Sequence, residues 1–501
     1  MRRTNLHRCG VVMLSLFTGW QAAVRGEDAP LIPQVLLRSI PNDTLAVYVH
    51  GGPAGGATPG DALSVLDWGA LAVDRVQEMG VLSNIDSCAR MWLDSLTAVN
   101  TGFKYPHALA LLDIKVRSRD DGGHELDRLT AALLIRIGES SEAVERRIQH
   151  LLNVYTNTSE SNLTVQTEHG GKRYILRDGR LPDWAVLSWG RLNDIYLITI
   201  GEGAFERIER AYGDHNASLL ANQWFTSAFL RANGSKAVFT CFVEVDRLRT
   251  GSGPAFAKKV ESVRNALGLA DVVRGLWTTW RSERSLEIRA FLNRQDQDVL
   301  VEIAGERHLA RLGGQVLPAE ATRFAVFNGR AGDVTRRIGD AYLASCGPES
   351  QAESRTFWGG IESRSKVSFD RDLFDHLGSP FIIHDDPPHP LRLPFARTIL
   401  VRVDGDAAAL RRSIDGLLSS IQKTFLDDSW YKLGRDDDGM WSLQLGVLAP
   451  AMMVTDDWLV VSHSPFAVRK NIDILAPTSN TEPGHPASSP ASKEPSASST
   501  E

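Results

Sequence analysis

Cysteine is scarce in this sequence, with four residues in a chain of 501. Cys9 lies in an N-terminal segment that we expect to be removed, which leaves Cys88, Cys241 and Cys346. An odd number in an exported protein leaves at least one thiol unpaired or paired between chains, and the spacing does not choose the partners. The sequence is therefore not a disulfide-rich scaffold, and the lack of a C-x-x-C spacing gives thiol redox chemistry little support.

Long apolar runs are lacking after the N terminus, so no transmembrane span is predicted in the mature chain. The N terminus itself has a basic start at Arg2 and Arg3 and an apolar core at 9–20, a pattern typical of a secretory signal peptide. Val24 and Gly26 are small enough for positions −3 and −1 of a cleavage site. We expect cleavage after Gly26 and a secreted or periplasmic mature protein. An uncleaved anchor is the alternative, which the short apolar core disfavours.

An excess of basic residues is also lacking. The chain has a net charge of −6, and removal of the signal peptide takes away four arginines and no acidic residue, which makes it about −10. Such a surface repels nucleic acid and anionic lipid on average. We therefore expect no nucleic acid partner.

Motifs that bind nucleotides or metals, or that mark common catalytic sites, are absent from the sequence as well. It contains no Walker loop, no Rossmann glycine fingerprint, no H-E-x-x-H and no paired catalytic serine and lysine. No cofactor is predicted for this chain.

What the sequence does contain is a long-range repeat. Residues 134–152, LIRIGESSEAVERRIQHLL, recur in altered form at 400–418, LVRVDGDAAALRRSIDGLL, with 7 of 19 positions identical. Each copy predicts a strand, a polar turn whose Ser or Asp side chains can cap a helix, and a helix with one apolar stripe. The stripe residues are Val144, Ile148, Leu151 and Leu152 in one copy and Leu410, Ile414, Leu417 and Leu418 in the other.

Two further blocks recur in the same order. A predicted strand at 44–50 has an echo at 323–327, and DIYLITI at 194–200 has an echo in DWLVV at 457–461. The second pair aligns Tyr196 with Trp458, and the helices after it begin with Ala204-Phe205 and Pro465-Phe466. Because the repeat is long and occurs twice, it predicts a tandem duplication rather than a solenoid.

The predicted fold class is α+β, because most neighbouring strand candidates are separated by short turns, which favours antiparallel sheets with helices packed on them. The domain prediction has five parts: a signal peptide at 1–26, a first α+β copy at 27–212, a connecting α+β segment at 213–310, a second copy at 311–475, and a disordered Pro/Ser-rich tail at 476–501.

A family resemblance enters at the middle of the chain. The stretch 218–225, SLLANQWF, the strand end 245–248, VDRL, and the first-strand entry 40–44, IPNDT, resemble a group of exported bacterial proteins built on a domain of unknown function. The resemblance covers most of the mature chain loosely. It implies an exported protein and carries no assigned activity.

The glycine loop that begins at His50, Gly51 and Gly52 follows a predicted strand directly. It resembles the oxyanion loop of α/β-hydrolases of the proline iminopeptidase kind, in which backbone N–H groups stabilise a tetrahedral oxyanion. The same fold needs a G-x-S-x-G nucleophile elbow, and the sequence has none. The other interpretation is a glycine loop that simply follows a strand.

A second candidate site is HDDPPH at 384–389. His384, Asp385, Asp386 and His389 place two imidazoles and two carboxylates close enough in sequence to suggest a divalent metal. The prolines hold the segment extended, which favours a surface loop instead. The run DDDG at 436–439 lacks the spacing of a calcium loop and is interpreted as a hairpin turn.

Two function classes follow from these patterns. The favoured one is a non-enzymatic exported protein that binds an unknown ligand or an envelope partner. The alternative is an exported hydrolase that uses His50 and its glycine loop. A real active site brings acid, base or nucleophile side chains together at one concave place, so the surroundings of His50 discriminate between the two.

Overall fold

The computed structural model describes residues 32–51, 105–118, 124–137, 145, 161–168, 171–179, 181–282, 284–295, 297–312, 316–319, 321, 323–385, 397–426, 432–444 and 449–476. Several predictions lie outside these residues: the signal peptide, Cys88, Gly52, Asp386, His389, the helix stripe around Ile148, and the tail.

The described strands form one sheet of eighteen strands. They are β1 Ala46–His50, β2 His107–Ser118, β3 His124–Arg136, β4 Ser161–Glu168, β5 Gly171–Asp178, β6 Leu187–Leu192, β7 Ile195–Ile200, β8 Phe239–Val243, β9 Val272–Ser282, β10 Ser285–Arg294, β11 Gln297–Ala304, β12 Phe324–Phe327, β13 Leu377–Asp385, β14 Arg397–Val403, β15 Lys432–Arg435, β16 Trp441–Gln444, β17 Ala451–Val454 and β18 Trp458–Ser462.

The described helices are α1 Gln34–Ser39, α2 Ala204–Gly213, α3 Gln223–Arg231, α4 Val245–Gly251, α5 Pro254–Ala266, α6 Ala331–Ser345, α7 Pro348–Ser365, α8 Ala407–Ile421 and α9 Pro465–Leu475. Short 3₁₀ or π turns lie at His215–Ala217, Leu219–Ala221, Gly234–Lys236, Glu306–Leu312, Phe369–Leu373, Phe374–His376 and Gln422–Leu426. None of the described helices is both long enough and apolar enough to cross a bilayer.

Two parts of the sheet have the same strand order. The first half-sheet runs β4-β5-β6-β7-β3-β2-β1, and the second runs β15-β16-β17-β18-β14-β13-β12. All pairings within them are antiparallel. The connecting strands β8, β9, β10 and β11 lie between: β8 pairs with β1, and β10 meets β12 at one parallel position, Ser285 beside Phe324. The predicted α+β class with antiparallel pairing is confirmed.

The core of the first half-sheet is closed by α1, α2 and α3. Val49, Leu134 and Leu197 alternate along their strands with residues of the opposite face, and each is fully buried. Ile208 of α2 and Phe225 of α3 pack against them. Burial of such side chains is worth about 1.5–3 kcal/mol each, so this layer stabilises the first half.

The second half-sheet is covered on both faces. One core contains Leu400 and Val460 with Val468 of α9, and the other contains Leu410 and Ile414 of α8. The apolar stripe predicted for α8 is therefore confirmed. The predicted cap is also present, because the Asp406 side chain accepts hydrogen bonds from the backbone N–H groups of Ala408 and Ala409.

The alignment of Tyr196 with Trp458 is wrong by one residue. Arg136 lies beside Ile195 in the first half-sheet, whereas Arg402 lies beside Trp458 in the second, so Ile195 corresponds to Trp458. Equivalent ion pairs fix this register: Arg136 Nε is 3.3 Å from Asp194 Oδ2, and an Arg402 guanidinium nitrogen is 3.2 Å from Asp457 Oδ1. Tyr196 instead packs in the core on the opposite face, with Ile135.

The pairing of Phe205 with Phe466 is wrong for a related reason. Phe205 is 5% exposed in the core, and Phe466 is 78% exposed at the start of α9. In α9 the buried positions are Ala467, Val468 and Asn471, at the same spacing as Ala204, Phe205 and Ile208 in α2. Pro465 and Phe466 therefore form an additional helix start in the second half.

The sequence interpretation missed several elements. Helices α1, α6 and α7 and strands β11, β13 and β17 were not predicted, and 384–389 was taken for a surface loop although β13 extends to Asp385. The interpretation of 245–248 as a strand end is wrong, because these residues begin helix α4. The hairpin turn at 436–439 is confirmed: it joins β15 to β16, with Gly439 at φ 88° and Asp436 accepting the backbone N–H of Met440. A positive φ of this size is the conformation that favours glycine.

Candidate functional site

His50 is the last residue of β1, and its surroundings decide between the two predicted function classes. It lies directly opposite His107 of β2 and Phe239 of β8. The two histidines are 1% and 3% exposed. Their rings stack with centroids 5.2 Å apart and planes 20° from parallel. His50 is thus enclosed by aromatic rings rather than presented at an open cleft.

The protonation of this pair follows from its burial. Burial, reinforced by the neighbouring His107, lowers the pKa of His50 from its ordinary 6.5 to about 3. Burial also lowers the pKa of His107, against the opposing effect of its Nδ1 contact with the Tyr105 carbonyl at 2.8 Å. Both rings are therefore neutral at pH 7, and they stack without mutual charge repulsion.

The nearest potential nucleophiles are held in their protonated forms. Tyr48 of β1 lies opposite Cys241 of β8, and its ring contacts those of His107 and Phe239 at 6.0 and 5.8 Å. Burial raises the pKa of the Cys241 thiol to about 11, and burial together with Cys241 raises the pKa of Tyr48 to about 12. Since the thiolate is the nucleophile, Cys241 is unreactive at neutral pH. Cys241 and Cys346 are both free thiols.

The backbone after His50 is also unsuited to oxyanion binding. The Gly51 N–H donates to the Val238 carbonyl at 2.8 Å, so the sheet already uses it. Strand β1 is antiparallel to both of its neighbours, whereas the α/β-hydrolase loop follows a strand of a parallel sheet. The structure therefore gives the hydrolase hypothesis no oxyanion donor at Gly51 and no nucleophile among the described neighbours of His50.

His384 lies in β13 and is 1% exposed, so the expectation of a surface loop is wrong at this residue. Its Nε2 is 2.9 Å from Asn471 Oδ1, and its Nδ1 is 2.9 Å from the Asp385 carbonyl oxygen. Asn471 Nδ2 in turn donates to Ala467 O and Thr398 Oγ1, and Thr398 donates to Ser462 Oγ. We call His384, Thr398, Ser462 and Asn471 the His384 network.

This network speaks against the metal-site hypothesis for 384–389. Both ring nitrogens of His384 are engaged inside the fold, and the Asp385 carboxylate accepts the Arg323 backbone N–H at 2.8 Å. Among the residues that the structure describes, no group of three or more His, Cys, Asp or Glu is arranged to hold a metal ion.

Removal of Asn471 tests the His384 network. We expect Asn471→Ala to lower the free energy of unfolding by roughly 1–3 kcal/mol, because His384 and Thr398 lose a buried hydrogen-bond partner. Urea denaturation measures the change. Arg469→Ala on the same helix is the control: it removes an exposed ion pair with Asp436 and should cost less than about 1 kcal/mol. Equal effects of the two variants would contradict a structural role for the network.

Equivalent positions of the two half-sheets carry different chemistry. His50 and His107 correspond by strand register to Phe327 and Phe381, whose rings stack at 4.5 Å with planes 6° apart. His384 and Thr398 correspond to Ala110 and Ala132. The position of His50 is thus one at which the fold stacks two rings, whatever their polarity.

A cluster of exposed aromatic rings lies on and beside α7. Of the eighteen residues Pro348–Ser365, one, Ile361, is buried. Phe357 and Trp358 are 43% and 50% exposed, and Phe425, which follows α8, is 47% exposed. The ring centroids of Phe357 lie 5.1 Å from Trp358 and 5.8 Å from Phe425. We call these three residues the α7 aromatic surface.

A cavity of about 360 Å³ lies between α8 and the turns of the second half-sheet. Arg411 and Arg435 line it, together with Asp438 and Asp456. Arg411 pairs with Asp456 at 3.4 Å and Arg435 with Asp415 at 3.2 Å. Because the charges balance locally, the cavity itself selects neither an anion nor a cation.

Comparison with known proteins gives no match. Neither a family model, nor a curated protein, nor a solved structure resembles the chain closely enough to be recognised. The function therefore has to be argued from the residues themselves. The α7 aromatic surface had no sequence signal, because α7 has too few apolar residues to form a stripe. The His50–His107 pair could have been suspected only from strand pairing.

Proposed function

We propose that this chain is an exported, non-enzymatic binding protein, and that the α7 aromatic surface contacts its envelope partner. The observation that carries the proposal is the exposure of Phe357 and Trp358 on a helix with one buried residue. Most helices in proteins gain their stability by burying an apolar face. A long helix that buries so little, yet displays adjoining aromatic rings, has its apolar area available for a partner.

The chemistry of these rings supports binding rather than catalysis. Aromatic side chains are enriched in interfaces because they bury a large area at a small entropic cost, and tryptophan is prominent among the residues that dominate binding energy. Exposed apolar clusters on soluble proteins commonly mark interaction sites. The partner itself stays unidentified. Its recognition would rest on apolar contact, since the net negative charge of the mature chain disfavours electrostatic capture of anionic surfaces.

We also propose that the two halves arose by tandem duplication. The identical strand order, the matched ion pairs Arg136–Asp194 and Arg402–Asp457, and the ring stacks at equivalent positions support it. On this proposal one fold occurs twice and the halves have diverged, as the histidine pair of the first half and the phenylalanine pair of the second illustrate. Export rests on the N-terminal pattern.

Co-sedimentation with cell envelopes isolated from the source cells tests the binding proposal. We expect the wild-type mature protein to co-sediment, and Phe357→Ser with Trp358→Ser to bind at least about thirtyfold more weakly, since loss of a central aromatic contact costs about 2 kcal/mol or more.

The matched control is Phe466→Ser, which removes an exposed ring that is 78% accessible and lies outside the α7 aromatic surface. It should leave co-sedimentation unchanged. Envelope binding that survives the double replacement, or that is equally lost in the control, would refute the assignment of this surface. Thermal melting of each variant separates lost binding from lost folding.

A further inference from the structure

Strand β4 forms one end of the sheet. It pairs with β5 at all eight positions without a register shift, and no other described strand pairs with it. Asn162, Thr164, Val165 and Gln166 are exposed, with Val165 at 50%. One side of a regular eight-residue strand therefore carries backbone N–H and C=O groups without a partner strand among the described residues.

Other open edges of the sheet carry features that discourage pairing. At the opposite end, β15 has four residues, of which Lys432 and Arg435 are charged. Beside β12, β11 carries Asp298 and Glu302, and its pairing with β10 contains a register shift. Short length, charge and bulges are the devices by which proteins block edge-to-edge association.

Strand β4 lacks these devices except at its last position, where it carries one charge, Glu168. Its residues 161–167, SNLTVQT, contain no charge, no proline and no glycine, and they include the β-branched Thr164 and Val165. Leu163 packs against the core that contains Trp189 and Leu176, and Val165 lies on the same face two residues further on. An added strand could therefore hydrogen-bond to the backbone groups at the edge of β4, and its apolar side chains could pack beside Leu163 and Val165.

We propose that β4 pairs antiparallel with β4 of a second copy of this chain. The two copies are then related by a two-fold axis that passes through the pair of Thr164 residues, perpendicular to the sheet. Equivalent faces of the two sheets therefore lie on the same side of the joined sheet. The same axis places Leu163 opposite Val165 of the second copy, and Asn162 opposite Gln166. The segment is thus self-complementary: apolar residues meet apolar residues, amide meets amide, and no like charges face each other within 161–167.

The second copy is favoured over an unrelated strand by the self-complementarity of residues 161–167. Two copies of a chain with a net charge of about −10 after cleavage repel each other at most surfaces. Residues 161–167 carry no charge and so add no repulsion where the two copies meet, and an isologous contact of this kind closes as a dimer without further growth. Because one strand pair buries a small area, we expect a concentration-dependent equilibrium rather than an obligate dimer.

Sedimentation velocity over a concentration series of the full mature protein tests the proposal. The wild type should shift from monomer to dimer as concentration rises. Val165→Lys should weaken the dimer by at least about tenfold, because pairing of the two β4 strands would bury the lysine charge against Leu163 of the second copy. Gln166→Lys, on the other face of β4, should weaken it as well.

The matched control is Leu300→Lys, at a residue of β11 with 47% exposure, which should leave dimerisation unchanged. Hydrogen exchange at rising concentration should slow selectively in the amides of 161–168. A wild type that stays monomeric, a dimer that tolerates both lysines, a dimer lost equally in the control, or a dimer without added protection of β4 would each overturn the proposal. A monomer that co-purifies with another chain held by β4 would assign the edge to that chain instead.

Discussion

Acidification from pH 8 to pH 5 is expected to lower the free energy of unfolding by about 2 kcal/mol through His50 alone. Burial, with His107, lowers the pKa of His50 from 6.5 to about 3 in the folded protein. The unfolded chain therefore binds a proton that the folded chain excludes. This contribution is fully present above pH 6.5 and is lost progressively as the pH falls from 6.5 towards 3. His107 adds an effect of the same sign.

The double variant His50→Phe with His107→Phe isolates this effect, because it reproduces the ring stack that Phe327 and Phe381 form in the second half. Urea unfolding at pH 8 and at pH 5 measures how far the free energy of unfolding falls between the two pH values. This fall should be smaller in the double variant than in the wild type by at least about 2 kcal/mol. Carboxylates contribute equally to both proteins and cancel. His215→Asn, at an exposed histidine, is the control and should retain the wild-type difference. An unchanged pH dependence in the double variant would show that the pair does not exclude protons.

Ile414→Ala is expected to lower the free energy of unfolding by roughly 2–5 kcal/mol. Ile414 is 7% exposed on α8, where it packs with Leu410 against the second half-sheet. Its replacement removes buried apolar area and leaves a cavity that the surrounding strands can only partly close. Denaturant unfolding, monitored by circular dichroism, measures the change.

Arg402→Ala is the control for this prediction. Arg402 lies on β14 and forms an ion pair with Asp457 in which both side chains are exposed to solvent. Loss of this ion pair should lower the free energy of unfolding by less than about 1 kcal/mol. If Ile414→Ala cost no more than Arg402→Ala, α8 would not be held by its apolar stripe. The proposed duplication extends the prediction to Ile148→Ala, at a residue outside the described part of the chain.

The parts of the fold that could be predicted from the sequence are those with a clear period. The strands around 108–116 and 194–200 and the stripe of α8 were found because alternation and 3.6-residue spacing reflect one buried face. Helix α7 was missed because Ile361 alone is buried, so no stripe forms. Strand β11 was missed because its charged residues interrupt the alternation expected of a half-buried strand.

The candidate site was less predictable, because it depends on register. The sequence drew attention to His50 but not to His107, which becomes its neighbour only through the pairing of β1 with β2. His384 was taken for a loop residue since polar side chains and prolines surround it, and its burial depends on Asn471, far along the chain. The alignment of Tyr196 with Trp458 failed by one residue, and in a strand one residue exchanges the two faces of the sheet.

The His384 network has a consequence for how the chain reaches its native topology. Helices α2 and α9 each follow the last strand of a half-sheet. Because the two half-sheets have the same strand order, each helix meets two similar surfaces on which it could pack during folding. If α9 docked on the first half-sheet, the Asn471 amide would be buried against Ala110 and Ala132, at a cost of roughly 1–3 kcal/mol. If α2 docked on the second half-sheet, Ile208 would take the place of Asn471 and leave the Nε2 of His384 without that partner. Because one core contains polar atoms and the other contains methyl groups, each helix packs best on its own half-sheet. This difference disfavours structures in which α2 and α9 exchange places, within one chain or between two chains.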